Sequence, residues 1–161
     1  VHRFLYVGAP LLGNILRVYL WIDRFDKQIG HRPPAASGKA KSMNSQSRAM
    51  RKDQRFWDRN AQKYASDPIG DEAAYQKKLE ITREHFSPET QVLEFGCGTG
   101  MTAVSHAPFV KHIHATDLSG EMLQIARERA AEAKVENISF EQAGFDDIEA
   151  EPESFDVVLG L

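Results

Sequence analysis

The hydrophobic and polar positions of this 161-residue chain predict two helices followed by alternating strands and helices. From Ser47 onward apolar residues recur every three or four positions, and a segment from Asp71 to Phe86 repeats this spacing, as amphipathic helices do. Short apolar runs then alternate with helical patterns, which is typical of a parallel sheet covered by helices. These runs lie in 91–95, 111–118, 137–142 and 154–158. The predicted class is therefore α/β, with helices before the sheet.

The first of these runs, QVLEF, passes directly into a glycine-rich segment, GCGTG, at residues 96–100. Glycine tolerates positive φ and lets a ligand approach the backbone without meeting a Cβ atom. A helix that starts after such a turn points free N–H groups and the positive end of its dipole toward the turn. The segment therefore predicts a loop that holds a nucleotide-type ligand.

The spacing of the glycines indicates which nucleotide the loop holds. A dinucleotide fingerprint, G-x-G-x-x-G, would need glycine at position 101, where the chain has Met101. The written pattern is Glu94-x-Gly96-x-Gly98-x-Gly100. It resembles motif I of the class I S-adenosylmethionine-dependent methyltransferases, in which an acid is followed by G-x-G-x-G after the first strand.

Three downstream features strengthen this resemblance. Asp117 ends the second strand, where an acid of a Rossmann-like fold hydrogen-bonds ribose hydroxyls. A third strand over 137–142 follows, and Ser154–Val158 is similar to the S-F-D-x-V entry into the family's fourth strand. The resemblance covers residues 56–161. It implies a Rossmann-like class I methyltransferase fold with an incomplete sheet, four of the family's seven strands, preceded by helices.

The resemblance implies S-adenosyl-L-methionine as the cofactor, with Asp117 gripping its ribose. Leu118 and Met122, close to this acid, either bound the adenine or belong to the core. No residue stands out as a catalytic base. The cofactor-binding residues that the resemblance implies are Glu94, Phe95, Gly96, Cys97, Gly98, Gly100, Asp117, Leu118, Met122, Gly144 and Phe145.

The chain departs from the family at Gly144. In many relatives the third strand ends in an acid that meets the adenine amino group, and this position aligns with Gly144 here. Either Asp146 or Asp147 takes over that contact, or backbone groups around Phe145 read the adenine edge. These alternatives stay open.

The aromatic residues of the first helix have two interpretations. In one, they form a packing face against the sheet. In the other, the helix resembles the N-terminal helices that lie over the cofactor in related methyltransferases. Trp57 and Tyr64 would then cover the methionyl end of the cofactor or the substrate.

The distribution of charge argues against a nucleic-acid partner. Residues 1–50 carry eight Lys and Arg against two Asp and Glu, whereas residues 51–161 carry twelve against twenty-one. The predicted domain therefore lacks the basic face that nucleic-acid recognition uses. We expect a small-molecule methyl acceptor.

Cysteine and histidine offer two further candidate sites, both of which we disfavour. The single Cys97 excludes an internal disulfide and fits a reducing, cytoplasmic location. No Cys–His–acid arrangement supports this thiol as a nucleophile. His112 and His114 alternate on one strand face, but no third ligand lies nearby in the sequence, so no metal site is predicted.

Residues 1–46 differ in composition from the rest of the chain. An apolar and basic segment over 1–26 precedes a Pro-, Ser-, Gly- and Lys-rich stretch over 31–47, which we expect to be a disordered linker. The uninterrupted apolar span over 4–16 is shorter than the roughly 20 residues that cross a bilayer. An interfacial helix that contacts a membrane over 1–26 is the less favoured alternative.

The chain opens on Val1 and contains Met43. We therefore expect residues 1–42 to be upstream translation that is not native to the domain. A truncated cofactor-binding methyltransferase domain is expected over residues 47–161.

The predicted function is S-adenosylmethionine-dependent methyl transfer to a small molecule, as in the uncharacterised bacterial methyltransferases that the chain resembles. Because the sequence stops after the fourth strand, we expect this fragment to be inactive by itself. One flank of Val157–Leu159 is expected to be an unpaired edge. The alternatives are a non-catalytic cofactor-binding fragment, a nucleic-acid methyltransferase and an NAD-dependent oxidoreductase.

Overall fold

Parallel strands form the centre of the structure, a computed structural model that describes residues 3–4, 40–144, 147–148 and 154–160. The strands are β1 (Arg3–Phe4), β2 (Gln91–Phe95), β3 (His112–Asp117), β4 (Ile138–Gln142) and β5 (Val157–Gly160). The helices are α1 (Ala40–Ser66), α2 (Glu72–Arg83), α3 (Met101–His106) and α4 (Gly120–Glu132), and a 3-10 helix covers Ala107–Phe109. The sheet has the order β1-β5-β2-β3-β4, and every neighbouring pair is parallel.

The central strand β2 is buried on both faces. Val92 and Leu93 are both fully buried although neighbouring side chains of a strand point to opposite faces. This explains why the strand is a continuous apolar run in the sequence rather than an alternating one. Val92 is aligned with Ile113 of β3 and Val157 of β5, which places three buried apolar side chains in one row. The predicted α/β class and the four parallel Rossmann-like strands are confirmed.

Helix α4 covers one face of this sheet with a short apolar stripe. Its buried residues, Met122, Leu123, Ala126 and Ala130, recur at helical spacing. Ser119 caps the helix, because its hydroxyl accepts a hydrogen bond from the backbone N–H of Met122 at 3.2 Å.

The flank of β5 is paired at two residues. Arg3 and Phe4 of β1 run parallel to Val157 and Val158. The prediction of an unpaired edge is therefore wrong at these positions. An edge strand presents a row of free N–H and C=O groups, and an extended segment can pair with them through its backbone alone. A two-residue strand carries no side-chain period, so the sequence pattern could not reveal it.

The first helix begins earlier than the sequence predicted. Helix α1 starts at Ala40, inside the stretch over 31–47 that was expected to be disordered. That expectation is wrong for residues 40–47. Alanine, lysine, methionine and glutamine favour helix, and a helix that is held by tertiary packing further along extends at little cost.

The structure does not describe residues 31–39 of the predicted linker or most of the apolar segment over 1–26. The expectations of a disordered linker and of an interfacial helix there stay predictions. The boundary of the domain at residue 47 stays a prediction. Within the part of the chain that the structure describes, no helix combines the length and apolar character needed to span a bilayer.

His106 is a buried polar residue at the end of α3. It is 1% exposed, it packs edge-on against the ring of Phe86 at 5.0 Å, and neither ring nitrogen has a hydrogen-bond partner among the described residues. Burial lowers the pKa of His106 to about 4, and the positive charges of Arg83 and Lys78 act in the same direction. The folded chain therefore holds a neutral imidazole at physiological pH.

This burial predicts an acid-sensitive fold. As the pH falls below about 6.5, His106 becomes protonated in the unfolded chain. In the folded chain His106 stays neutral until the pH reaches about 4. The free energy of unfolding should therefore fall by about 3 kcal/mol across this window, at 1.36 kcal/mol per pH unit. His106→Leu should remove this part of the pH dependence, whereas His114→Asn, on the partly exposed face of β3, should keep it. Urea titrations between pH 4 and 7 measure both. Equal slopes in the wild type and His106→Leu would contradict the assignment.

Candidate functional site

The glycine loop lies where β2 meets α3, at the carboxyl end of the sheet. Gly96, Gly98 and Gly100 all have positive φ, at 67°, 53° and 71°. A Cβ atom on Gly100 would lie 2.7 Å from the Cβ of Ala126, so only glycine lets α4 pack this closely. Around Gly98 the space is open, since the nearest atom to an added Cβ is Cε1 of Tyr64 at 3.9 Å. The loop therefore has a packed side and an accessible side.

Asp117 joins the loop to the end of β3. One carboxylate oxygen accepts a hydrogen bond from the backbone N–H of Gly98, and the other accepts one from the backbone N–H of Ser119, each at 2.8 Å. Burial raises the pKa of Asp117, the backbone N–H groups oppose that rise, and the nearby charge of Asp58 adds to it. The structure thus brings together the two features that the sequence placed nineteen residues apart.

Glu94, near the end of β2, and Cys97, within the loop, are buried and do not contribute to its accessible side. Glu94 is fully buried, and neither carboxyl oxygen has a hydrogen-bond partner among the described residues. Burial raises the pKa of Glu94 to about 8, an effect that the charge of Lys78 partly offsets. Burial also raises the pKa of the Cys97 thiol, as do the carboxylates of Glu94 and Asp117. A thiol in this environment stays protonated and is a poor nucleophile.

A cavity of about 440 Å³ opens at the carboxyl ends of β3 and β4. Leu118 and Gly144 line it, as do Met50 and Gln54 of α1. Asp147 contributes a carboxyl group to the same wall. The other lining residues are Arg51, Gln142 and Ala143.

Gly144 leaves room for side chains that come from elsewhere. A Cβ atom at this position would lie 2.5 Å from Cε of Met50 and 3.1 Å from a carboxyl oxygen of Asp147. Met50 therefore occupies the space that a larger residue 144 would need. Two of the residues that were considered for the adenine contact, Phe145 and Asp146, lie outside the described residues.

Two further residues of the predicted set lie away from this cavity. The ring of Phe95 packs against Gly160 of β5, where a Cβ atom would collide with it. Met122 is 2% exposed on the inner face of α4 and does not line the cavity. Leu118 therefore lies in the wall of the cavity, whereas Met122 belongs to the core.

Helix α1 lies over the loop, and its aromatic residues are exposed. Phe56, Trp57 and Tyr64 are 52%, 39% and 53% exposed, so the interpretation that they pack against the sheet is wrong. Ala61, which is buried, packs inward instead. The rings of Trp57 and Tyr64 meet at a right angle with their centres 6.0 Å apart, beside Gly98.

Arg129 and Asp58 are site residues that the sequence analysis missed. The guanidinium of Arg129 in α4 donates to the carbonyl oxygen of Thr99 at 2.5 Å and to its hydroxyl at 2.7 Å, which fixes the loop from behind. The carboxylate of Asp58 in α1 accepts a hydrogen bond from the hydroxyl of Ser119 at 2.6 Å. Charged residues on a helix are usually exposed, so nothing in the local pattern distinguished these two from their neighbours.

The two histidines of β3 take part in a hydrogen-bond network. Nε2 of His112 and Nδ1 of His114 lie 2.9 and 3.0 Å from the hydroxyl of Ser139, and Nε2 of His114 lies 2.9 Å from a carboxyl oxygen of Glu141. In the described part of the chain, no group of three or more His, Cys, Asp or Glu residues is arranged to hold a metal ion.

Comparisons with known proteins agree with this geometry. Residues 92–161 match the family model described as a methyltransferase domain. The chain is 30% identical over 100 residues to the uncharacterized methyltransferase YcgJ of Bacillus subtilis (strain 168), a match that covers 62% of the chain and 39% of YcgJ. It is 36% identical over 69 residues to a ubiquinone biosynthesis O-methyltransferase of Albidiferax ferrireducens, covering 42% of the chain and 27% of that protein.

Solved structures show the same fold. The crystal structure of YcgJ superposes with a TM-score of 0.51 at 29% identity, covering 53% of the chain and 37% of YcgJ. The structure of a DhpI–SAH complex superposes with a TM-score of 0.55 at 23% identity, covering 69% of the chain and 52% of DhpI. The chain spans 39% and 27% of the two curated relatives that it matches. Over residues 92–161 the chain is therefore similar to methyltransferase domains, and its parallel strands match the N-terminal portion of their Rossmann-like fold.

Proposed function

We propose that the methyltransferase domain to which these residues belong transfers a methyl group from S-adenosyl-L-methionine to a small-molecule acceptor. The observation that carries this proposal is the link between the accessible loop at Gly98 and the carboxylate of Asp117, next to a cavity of about 440 Å³. Ligands of open parallel sheets bind outside the carboxyl ends of the strands, which is where these features meet. A nucleoside with a chain attached requires three features: a backbone that the ligand can approach, an acid and a cavity.

Asp117 would hold the ribose of the cofactor. Each of its carboxylate oxygens accepts one backbone hydrogen bond, from Gly98 or from Ser119. A carboxylate has about four lone-pair sites, so further acceptor capacity is left for a pair of hydroxyl groups. The two backbone hydrogen bonds hold the acid in a single orientation before the ligand arrives.

The cavity would hold the adenine. Leu118 and Met50 supply apolar walls, and Asp147 supplies the carboxylate that accepts a hydrogen bond from the exocyclic amino group. This assignment chooses Asp147 among the alternatives that the sequence left open. The glycine at position 144 suits it, because Met50 and Asp147 both lie within about 3 Å of where a Cβ atom would be.

Glu94 and Met122 would support the site from beneath. Both are buried, and neither lines the described cavity. We assign Met122 to the core under the adenine. We assign Glu94 to the polar environment of the loop, close to Cys97 and Lys78.

The acceptor would lie beside the exposed ring pair of Trp57 and Tyr64. When bound, the cofactor supplies a methyl group on a sulfonium sulfur, which already carries a good leaving group. The work left to the protein is to align the acceptor and to exclude water. The excess of acidic residues over 51–161 supports a small molecule rather than a nucleic acid as acceptor.

The first test is cofactor binding and its dependence on Asp117. Isothermal titration calorimetry should show binding of S-adenosylhomocysteine. Asp117→Ala should weaken it roughly ten- to a hundredfold, as expected from about 1.5–3 kcal/mol for a hydrogen bond to a charged group. Glu132→Ala, at the exposed end of α4, is the control and should bind normally. If the wild type bound neither S-adenosylmethionine nor S-adenosylhomocysteine, the proposal would be overturned. Binding of NADH instead would indicate an oxidoreductase.

Gly98 tests whether the cofactor lies against the loop. Gly98→Val places a branched side chain on the accessible side and at a φ of 53°, so binding should be lost while most of the fold remains. Gly70→Val is the matched control, since a Cβ atom there meets nothing within 4 Å. Calorimetry and circular dichroism compare the three proteins. Normal binding by a folded Gly98→Val variant would mean that the loop is only a structural turn.

Asp147 tests how the adenine is read. The wild type should prefer S-adenosylhomocysteine over its analogue that carries hydrogen in place of the 6-amino group. Asp147→Ala should bind both ligands with similar affinity, because the preference depends on a hydrogen bond that needs both the 6-amino group and the Asp147 carboxylate. The four affinities form a double-mutant cycle between the protein and the ligand. Competition binding measures the ratio of the two affinities. The same preference in wild type and variant would assign the amino group to another partner.

A further inference from the structure

One face of α1 points into the proposed cofactor site. Met50, Gln54, Asp58 and Ala61 recur at spacings of four, four and three residues, as positions on one side of a helix do. Met50 and Gln54 line the cavity, Ala61 is buried, and Asp58 contacts Ser119. Seven charged residues lie between positions 50 and 65, and Asp58 is the one among them that is not exposed.

Ser119, the hydrogen-bond partner of Asp58, takes part in three hydrogen bonds. The hydroxyl of Ser119 donates its proton to Asp58 at 2.6 Å and accepts from the backbone N–H of Met122 at 3.2 Å. The backbone N–H of Ser119 donates to Asp117 at 2.8 Å. Ser119 is fully buried, so its side chain has no water with which to exchange these partners. Because a hydroxyl has a single proton, its donation to Asp58 directs the lone pairs of the oxygen toward the helix N-terminus.

We propose that Asp58 is a positioning residue for cofactor binding, which connects α1 through Ser119 to the carboxylate of Asp117. This inference rests on the proposed function, because it assigns Asp117 to the ribose. The connection continues from Asp117 to the N–H of Gly98, so that α1, the β3–α4 turn and the glycine loop are held by consecutive hydrogen bonds. Docking of α1 thereby sets the orientation of the ribose acid before the ligand binds.

The same contact places two carboxylates near each other. The groups that face Asp117 are the carboxylate of Asp58, the thiol of Cys97 and the backbone N–H groups of Gly98, Leu118 and Ser119. Burial is the main reason that the pKa of Asp117 is raised, the N–H groups lower it, and the charge of Asp58 adds to the rise. Asp58 therefore has two separable effects: its oxygen orients Ser119, and its charge makes Asp117 easier to protonate.

Substitutions at Asp58 separate these effects. Asp58→Ala removes the acceptor and should weaken binding of S-adenosylhomocysteine about tenfold, equivalent to about 1.4 kcal/mol. Asp58→Asn keeps an acceptor oxygen and removes the charge. It should bind with near wild-type affinity at neutral pH, and the loss of affinity at acid pH should shift to lower pH as the pKa of Asp117 falls. Asp53→Ala, an exposed acid on the same helix, is the matched control.

A double-mutant cycle shows whether Asp58 acts through Ser119. If it does, Asp58→Ala and Ser119→Ala should not be additive, because each variant removes the same hydrogen bond. Additive losses, or an Asp58→Asn variant whose pH profile matches that of the wild type, would overturn the proposal. A merely structural role for Asp58 would change the melting temperature without changing the pH profile.

Hydrogen exchange of the unliganded full chain makes the test independent of the proposed function. Asp58→Ala should speed exchange at the backbone N–H groups of Gly98, Ser119 and Met122, and Asp53→Ala should not. Unchanged exchange at these three positions would overturn the positioning role whether or not the protein binds the cofactor. Faster exchange in a protein that binds no S-adenosylhomocysteine would support the connection and reject the proposed function instead.

Discussion

The described structure depends on the pair of hydrogen bonds that Asp117 accepts from Gly98 and Ser119. These bonds join two turns that belong to different strands and different helices. A carboxylate this buried is costly unless N–H groups take the place of water, and oriented backbone N–H groups do so. The acid therefore has a structural role in the free protein and is held in the orientation that the proposed ribose contact requires.

The glycine loop can remain accessible because its other side is firmly held. Gly100 touches Ala126 of α4 closely enough that any side chain would displace the helix. Arg129 of the same helix holds Thr99 through two hydrogen bonds. The strain-free positive φ of glycine and these contacts leave the loop with one conformation, so that little entropy remains to be lost when a ligand binds. Rigidity behind the loop and open space in front of it are two consequences of the same packing.

Two buried polar side chains, Glu94 and His106, have no hydrogen-bond partner among the described residues, which shows where stability is given up. Glu94 is buried without a hydrogen bond among the described residues, and His106 is likewise buried with both nitrogens unpaired. Their pKa values shift in the directions that keep each group uncharged, upward for the acid and downward for the imidazole. Proteins retain such costly groups chiefly where a function uses them, and Glu94 lies in β2 two residues before the first glycine of the proposed cofactor loop.

The sequence by itself determined the α/β class, four of the strands and the location of the glycine loop and Asp117, because these follow from local signals. Apolar runs identify buried strands, glycine at fixed spacing identifies a turn of positive φ, and parallel strands end on one edge of a sheet. Tertiary structure alone decided that α1 lies over this edge with exposed aromatic residues, that Met50 fills the space beside Gly144, and that Asp58 and Arg129 serve the site. A charged residue on a helix has the same local pattern whether it faces water or a buried hydroxyl. Only the packing of one helix against another distinguishes the two.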